Sequence, residues 1–456
     1  ELAYLFRHAL LRDAAYQLQL PGERARLHAL ALEAIEHALA PLGPAALDAA
    51  AEDLAHHARQ AALGRGRDDM AAREADYLWR AARYLERAFN MDRAVQLYER
   101  LAGHDRVAGV RRAEALQAAG AALATAGRLS LAEPWLLRAR QEADQCGAKN
   151  LAARCLCSLG LLLTQLGRSS EAQAALAAAR PLVEASGEQE LSWMLQHNES
   201  ILLHHLGRNS EAEAGARRAC AVATAVGQGK WRAAALVTAG VVCKHTGRLE
   251  EAEGYYRQAL ELSCQGRLPI QELSTRYNLF GLLVDCGRYD EATSEFSAIM
   301  KLCAETGARR MEGLAIGNFG ILKARQGALD ESRDLLLRSI SLAREVGNRV
   351  GEAASLGNLG CNCNTEGRFG EAEQLLSAAL EIHRQAQNRR FLGAHGAPRA
   401  VALLGLGRRA EAERQWNEAL SIIRSLPDPL LLQAQIQDMR EICRKYGLEP
   451  LPAEGG

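Results

Sequence analysis

Four asparagines, Asn198, Asn278, Asn318 and Asn358, lie at multiples of 40 residues from one another. A primary amide carries both a donor and an acceptor, so it can pair with a peptide bond whatever side chain follows. Asparagine is also a mediocre helix former, so its return at one spacing needs a reason. The same spacing lets the amides bond one another or a neighbouring backbone instead. Ser158, Thr238 and Pro398 fill the position elsewhere, which concentrates any such grip in the central and C-terminal parts. One to two turns further on come His204, His205, Lys244, His245, Asp285, Arg325 and Asn364. With Arg154, Arg276 and Arg390, the cations of this set favour an acidic ligand. Taken singly, each also fits a solvated helix face with i,i+4 partners.

Other chemistry is poorly supported. His204-His205 and His245 have no carboxylate or cysteine at ligand spacing, so no metal is expected. The adjacent His56 and His57 diverge on a helix. Cys155 and Cys157, like Cys361 and Cys363, are two residues apart, which points them to different helix faces. The eleven cysteines form no CxxC and read as small apolar residues of a reducing compartment. No GxSxG, HExxH or GxxxxGK[ST] is present, so no catalytic residue and no cofactor is expected. Lys plus Arg equals Asp plus Glu at 55 each, which supplies no overall field for nucleic acid or an anionic membrane. No apolar run approaches the roughly 20 residues of a membrane span, and no signal peptide is present, so a cytoplasmic protein is expected.

The elements that position these residues are written in a repeat. Gly-Arg stands at 127-128, 167-168, 207-208, 247-248, 287-288, 367-368 and 407-408, with Gly327-Ala328 in the remaining place. Glu-Ala follows four residues after most of these glycines, and a second glycine lies midway, at Gly147, Gly187, Gly227, Gly307 and Gly347. A turn signal therefore arrives every 20 residues. Between turns the pattern is amphipathic helix: Trp231, Ala234, Ala235, Val237, Val241 and Val242, then Ala252, Tyr256, Ala259 and Leu260 after Gly247. Gly160, Ser200, Gly240, Gly320 and Gly360 mark the first helix of each pair. Ala172, Ala212, Ala252, Ala292 and Ala372 mark the second, so the helices are expected to cross closely. Such pairs bury their apolar faces only by stacking, which makes a solenoid. No strand is expected.

This pattern resembles the tetratricopeptide repeat, in the longer variety seen in kinesin light chains, polarity scaffolds and bacterial regulators. The resemblance covers roughly residues 70–425 and implies an all-α, right-handed superhelical solenoid of antiparallel helix pairs. It also implies that the first helices line a concave surface, where inward-facing asparagines hold an extended peptide. The ligand-binding residues it marks are Asn198, Asn278, Asn318, Asn358, His204, Lys244 and Arg325. Glutamates of the Glu-Ala pairs are expected at outward helix starts, where negative charge suits the helix dipole.

The ends depart from the register. Residues 1–69 form a helical N-terminal segment in which Tyr4-Leu-Phe-Arg-His-Ala-Leu-Leu-Arg-Asp-Ala-Ala-Tyr16 and Arg24-Ala-Arg-Leu-His28 resemble the junction after the winged-helix part of bacterial signal-transduction ATPases. The chain opens at Glu1 and not at methionine, which points to a piece of a longer protein with an upstream ATPase or kinase domain. Residues 70–426 form the solenoid of about eight units plus a shorter first one, and 427–456 a capping helix and disordered tail. Pro398 predicts a late start for its helix, after an irregular Gly393 to Gly396 stretch, because an interior proline costs ~3 kcal/mol. The function expected is a protein- or peptide-binding sensor or scaffold of a larger signalling protein. A small-molecule sensor is the alternative, and RNA binding is disfavoured by the charge balance.

Overall fold

The computed structural model describes residues 16, 18–64, 68–88, 90–386, 388–426 and 429–452. The Tyr4–Ala15 part of the ATPase-like string lies outside them. The described residues contain 22 α-helices and no strand. In the N-terminal part these are α1 (Pro21–Leu39), α2 (Pro44–Ala49), α3 (Ala51–Ala62), α4 (Asp68–Arg87), α5 (Met91–Ala102) and α6 (Gly109–Thr125). The 40-residue units then supply α7 (Leu129–Gln145), α8 (Lys149–Gln165), α9 (Ser169–Ser186), α10 (Gln189–His205), α11 (Asn209–Val226) and α12 (Gly229–His245). They continue through α13 (Leu249–Gln265), α14 (Pro269–Asp285), α15 (Tyr289–Thr306), α16 (Arg309–Arg325), α17 (Leu329–Glu345) and α18 (Arg349–Thr365). The last are α19 (Phe369–Gln385), α20 (Arg389–Gly405), α21 (Arg409–Arg424) and α22 (Pro429–Tyr446).

The chain divides into two compact units, Glu1–Thr125 with Pro134–Leu151, and Ala126–Glu133 with Ala152–Gly456. The first unit packs α1, α3 and α4 around Leu32, Leu54 and Met70. Asp48 ties α2 to α4 through Arg80 and Arg87. The position expected for the start of the array, residue 70, falls inside this unit.

In the second unit the helices pair consecutively, as the turn spacing requires. Each turn glycine takes a positive φ, for example 79° at Gly167 and 67° at Gly187, a conformation that a side chain disfavours. Inside several pairs a glycine of the first helix faces a large residue of the second, though Phe280 stands at that position in one pair. A Cβ on Gly160 would collide with Leu176, one on Gly240 with Tyr256, and one on Gly360 with Leu376. Where the first helix carries Ser200, its hydroxyl donates to the Ala212 carbonyl and the facing residues are Gly215 and Ala216.

Units are joined by charge. Arg168, Arg248 and Arg288, each from a Gly-Arg turn, hold the next-turn Glu171, Glu251 and Glu291 three residues on. Each also reaches back to a glutamate of the preceding unit: Glu133, Glu213 and Glu253. Arg248 holds the Glu213 carboxyl below its usual range. At the turn with Ala328, Arg333 of the following helix pairs with Glu371 instead. The Glu-Ala glutamates thus do more than complement a helix dipole.

Two expectations at the C-terminus are corrected. Helix α20 runs unbroken through Pro398, and Asn388 caps its start by accepting from the Phe391 amide at 3.4 Å. Gly393 and Gly396 let α21 approach, and His395 and Ala397 are buried between neighbours. Packing on both sides outweighs the lost backbone bond. In the stretch expected to be a disordered tail, Leu451 is instead buried and joins the core around Trp416, Met439 and Cys443. The Trp416 indole donates to the Pro452 carbonyl at 2.8 Å. Helix α22 turns back onto α18, where Lys445 and Tyr446 both donate to the Thr365 carbonyl, at 2.7 and 2.8 Å. All eleven cysteines are free, but Cys146, Cys264 and Cys286 are exposed, unlike the small buried residues expected.

The small-over-large packing predicts opposite signs for two glycine changes. Gly360→Ala drives a Cβ into Leu376 and lowers stability by about 1–2 kcal/mol, overpacking exceeding the helix-propensity gain. Gly254→Ala, mid-helix with open space around it, raises stability by about 0.5–1 kcal/mol. Chemical denaturation of both variants checks the signs.

Candidate ligand groove

The first helices of the second unit place the same register positions on one wall. Their last residues, Gln165, His205, His245, Asp285, Arg325 and Thr365, recur every 40 residues and all line a single groove of about 1600 Å³. The floor is kept low by Gly281, Gly317, Ala354 and Ala394. Tyr277, Phe280 and Phe391 supply apolar wall, and α22 closes one side with Leu431, Gln435, Asp438 and Glu441.

The groove is positively biased in a chain of zero net charge. Its wall carries Arg128, Lys244, Arg310, Arg325, Arg344, Arg349 and Arg390, against Asp285, Glu345, Asp438 and Glu441. Asp285 is clasped from two sides, by Lys244 at 2.9 Å and Arg325 at 3.1 Å. Arg325 also donates to the Val284 carbonyl at 3.0 Å. Arg344 and Arg349 share the buried Glu352. Arg310 differs from these. Its Nε is buried with no hydrogen-bond partner, and its stem lies across Gly127, where a Cβ would collide with it.

The four asparagines divide. Asn318 and Asn358 are half-buried on the groove wall. Asn198 is buried, is not on the groove wall, and donates its amide to the Cys157 carbonyl of the neighbouring unit at 2.9 Å. Asn278 donates to the Ser274 carbonyl of its own helix at 2.8 Å and is not among the residues lining the groove. Asn364 donates to the Pro398 carbonyl at 2.8 Å, again a structural use. Lys244 and Arg325 lie on the wall. His204 stands behind it, bonded to Asn209 at 2.9 Å and to His245 at 2.8 Å, with the two imidazoles stacked. Burial first, then Arg390 and the neighbouring cations, hold His245 well below its ordinary pKa.

Arg154 and Arg276 are tied to Glu190 and to Glu272 and Glu295, and they are not on the wall. Arg390 is on it. Glu213, Cys243 and Glu251 bring ligand-type atoms within 4.8 Å of one another. Their arrangement is accounted for by the inter-unit clasp, because Arg217 and Arg248 already hold Glu213. Sequence reasoning missed Arg310 and Tyr277. The register that carries Arg310 also carries Asn150, Glu190, Lys230, Ile270, Val350 and Arg390, a mixed column in which Lys230 and Arg390 were the available signal.

The tetratricopeptide-repeat family model matches residues 194–265 and 311–385, stretches that hold Asn198, His204, Lys244, Asn318, Arg325 and Asn358. The chain thus carries tetratricopeptide repeats, stacked as a solenoid of helix pairs. No curated protein matches it by sequence. Among solved structures it is similar to a Rap protein complexed with competence and sporulation factor, with 14% identity, 74% of this chain and 92% of that one covered, and a TM-score of 0.56. It is also similar to the apo quorum sensor NprR from B. thuringiensis, at 16% identity, 76% and 97% coverage and a TM-score of 0.47. A third is a signal transduction ATPase with a tetratricopeptide-repeat sensor from Pyrococcus horikoshii, at 11% identity, 86% and 55% coverage and a TM-score of 0.37. The Rap likeness establishes the fold. Among the described residues no helix is long and apolar enough to cross a membrane.

Buried histidines make stability depend on pH. Burial lowers His197 to about 4. Burial, with His383 and Arg390 adding, lowers His395 on the groove wall to about 3. The folded chain keeps both rings neutral, while the unfolded chain protonates them below about 6.5. Stability is therefore full above that pH and is lost as the pH falls from about 6.5 toward 4. Denaturation midpoints measured from pH 8 to pH 4.5 are expected to be level and then to decline, less steeply in His395→Leu.

Proposed function

We propose that this chain binds a peptide or an extended protein segment in the groove of its second unit, as a sensor or scaffold rather than as a catalyst. The observation that carries the reading is a continuous wall of first-helix residues from seven successive units, with two amides, Asn318 and Asn358, set between apolar patches. Such amides can bond peptide backbone without regard to sequence. At about 1600 Å³ the groove exceeds the ~300–1,000 Å³ of a small-molecule pocket, which favours an extended ligand over a metabolite. The same fold in a Rap protein was solved with competence and sporulation factor bound, which fits a binding role. We further propose, on the resemblance of the N-terminal residues to a signalling-ATPase junction, that the chain serves a larger cytoplasmic signalling protein.

Lys244 and Arg325 play a secondary part here, because Asp285 occupies both. They shape the wall and stay available to a ligand that displaces that carboxylate.

The reading is tested with a random-sequence peptide library on the purified chain and on Asn318→Ala/Asn358→Ala. Loss of roughly two hydrogen bonds to the backbone predicts affinity at least about tenfold weaker, with helical circular dichroism unchanged. Equal binding by both proteins would move the ligand away from these amides. A panel of metabolites binding where no peptide does would favour the small-molecule alternative.

A further inference from the structure

Among the described residues of the second unit, Arg232 and Arg310 each have a buried Nε without a partner, and of the two only Arg310 lies on the groove wall, whereas other interior arginines are paired. Arg154 has Glu190, Arg276 has Glu272 and Glu295, and Arg399 has Glu373. Arg310 lies on the groove wall, and its Nε is buried without an acceptor. Burial pushes its guanidinium down from its ordinary pKa, opposed only by the Tyr277 phenol and by no carboxylate. Tyr277 in turn interacts with Asn318, so Arg310, Tyr277 and Asn318 form one polar corner of an otherwise largely apolar stretch. A desolvated cation without a counter-charge is destabilising, and truncating or neutralising it removes that penalty. A guanidinium is also a planar fork of donors that matches a carboxylate with two parallel bonds.

We infer that Arg310 is the anchor for a carboxylate of the bound ligand, either the C-terminal carboxylate of a peptide or an Asp or Glu side chain within it. This rests on the peptide reading above and narrows it: the ligand is acidic at the point that meets Tyr277 and Asn318. The ligand's charge then replaces the missing partner of Arg310. The excess of cations on the wall draws such a ligand in and orients it. Arg310 was left unpaired by the chain's own residues, whereas Lys244 and Arg325 were given Asp285.

The test compares the intact chain with Arg310→Met, which keeps the length of the stem and removes the charge. Two peptide pools are used: one with free C-termini and acidic residues, one amidated and free of Asp and Glu. The intact chain is expected to prefer the first pool by roughly tenfold or more, and Arg310→Met to bind both alike. The variant is also expected to melt no lower than the intact chain, whereas an arginine kept for structure would melt lower when replaced. Peptide binding without preference for acids, or a preference that survives in Arg310→Met, overturns the anchor and leaves the peptide groove standing. Binding of neither pool ends the peptide reading. A succinate titration then decides the anchor: thermal stabilisation of the intact chain and not of the variant upholds an anion site at Arg310, and equal or absent stabilisation ends it.

Discussion

Most helix pairs of the second unit depend on one steric fit. A glycine in the first helix lets a large side chain of the second lie directly on its backbone, as Gly160 does for Leu176, Gly240 for Tyr256 and Gly360 for Leu376. The contact sets the crossing distance of the pair, and with it which residues of the first helix face inward toward the partner. The remaining face of that helix is left for something else. Because the helix pairs recur every 40 residues, those faces line up, and residues as far apart as Gln165 and Thr365 come to share one wall. Glycine here costs about 1 kcal/mol of helix propensity, which the burial of the facing leucine or tyrosine exceeds.

Charge fixes what sterics leave loose. The Gly-Arg turn places a guanidinium between a glutamate three residues ahead and one in the unit behind, so the same residue closes a helix start and joins two units. Exposed pairs of this kind contribute little singly, but the network sets the register between units. Within the groove the same logic runs to a different end. Asp285 satisfies two cations, Glu352 satisfies two more, and Arg310 is left without a partner. That asymmetry gives the groove a polarity that the zero net charge of the chain conceals.

The repeat, the helix pairs and the glycine fits were legible in the sequence because they follow from periodic residues and from the left-handed turn that glycine alone adopts easily. The asparagine column was legible only as a register. Asn318 and Asn358 face the groove, while Asn198 turns to the Cys157 carbonyl, a choice of partner of which a 40-residue period carries no record. The straight course of α20 through Pro398 was hidden for a related reason: local propensity argued against it, and burial of its neighbours overrode propensity. The packing of Leu451 and the return of α22 onto Thr365 join residues more than thirty positions apart, beyond any local signal. Arg310 was marked only by Lys230 and Arg390 in its register, since its meaning lies in the partner that it lacks.

The central claim is that ligand lies along the inner wall. A photo-reactive residue placed at Asn358 on that wall, and separately at Lys301 on an exposed second-helix surface, tests it most directly against a peptide library. Capture of peptide from position 358 and none above background from position 301 is the predicted result. Equal capture from both positions, or capture from 301 alone, would contradict the account and place binding on the outer face.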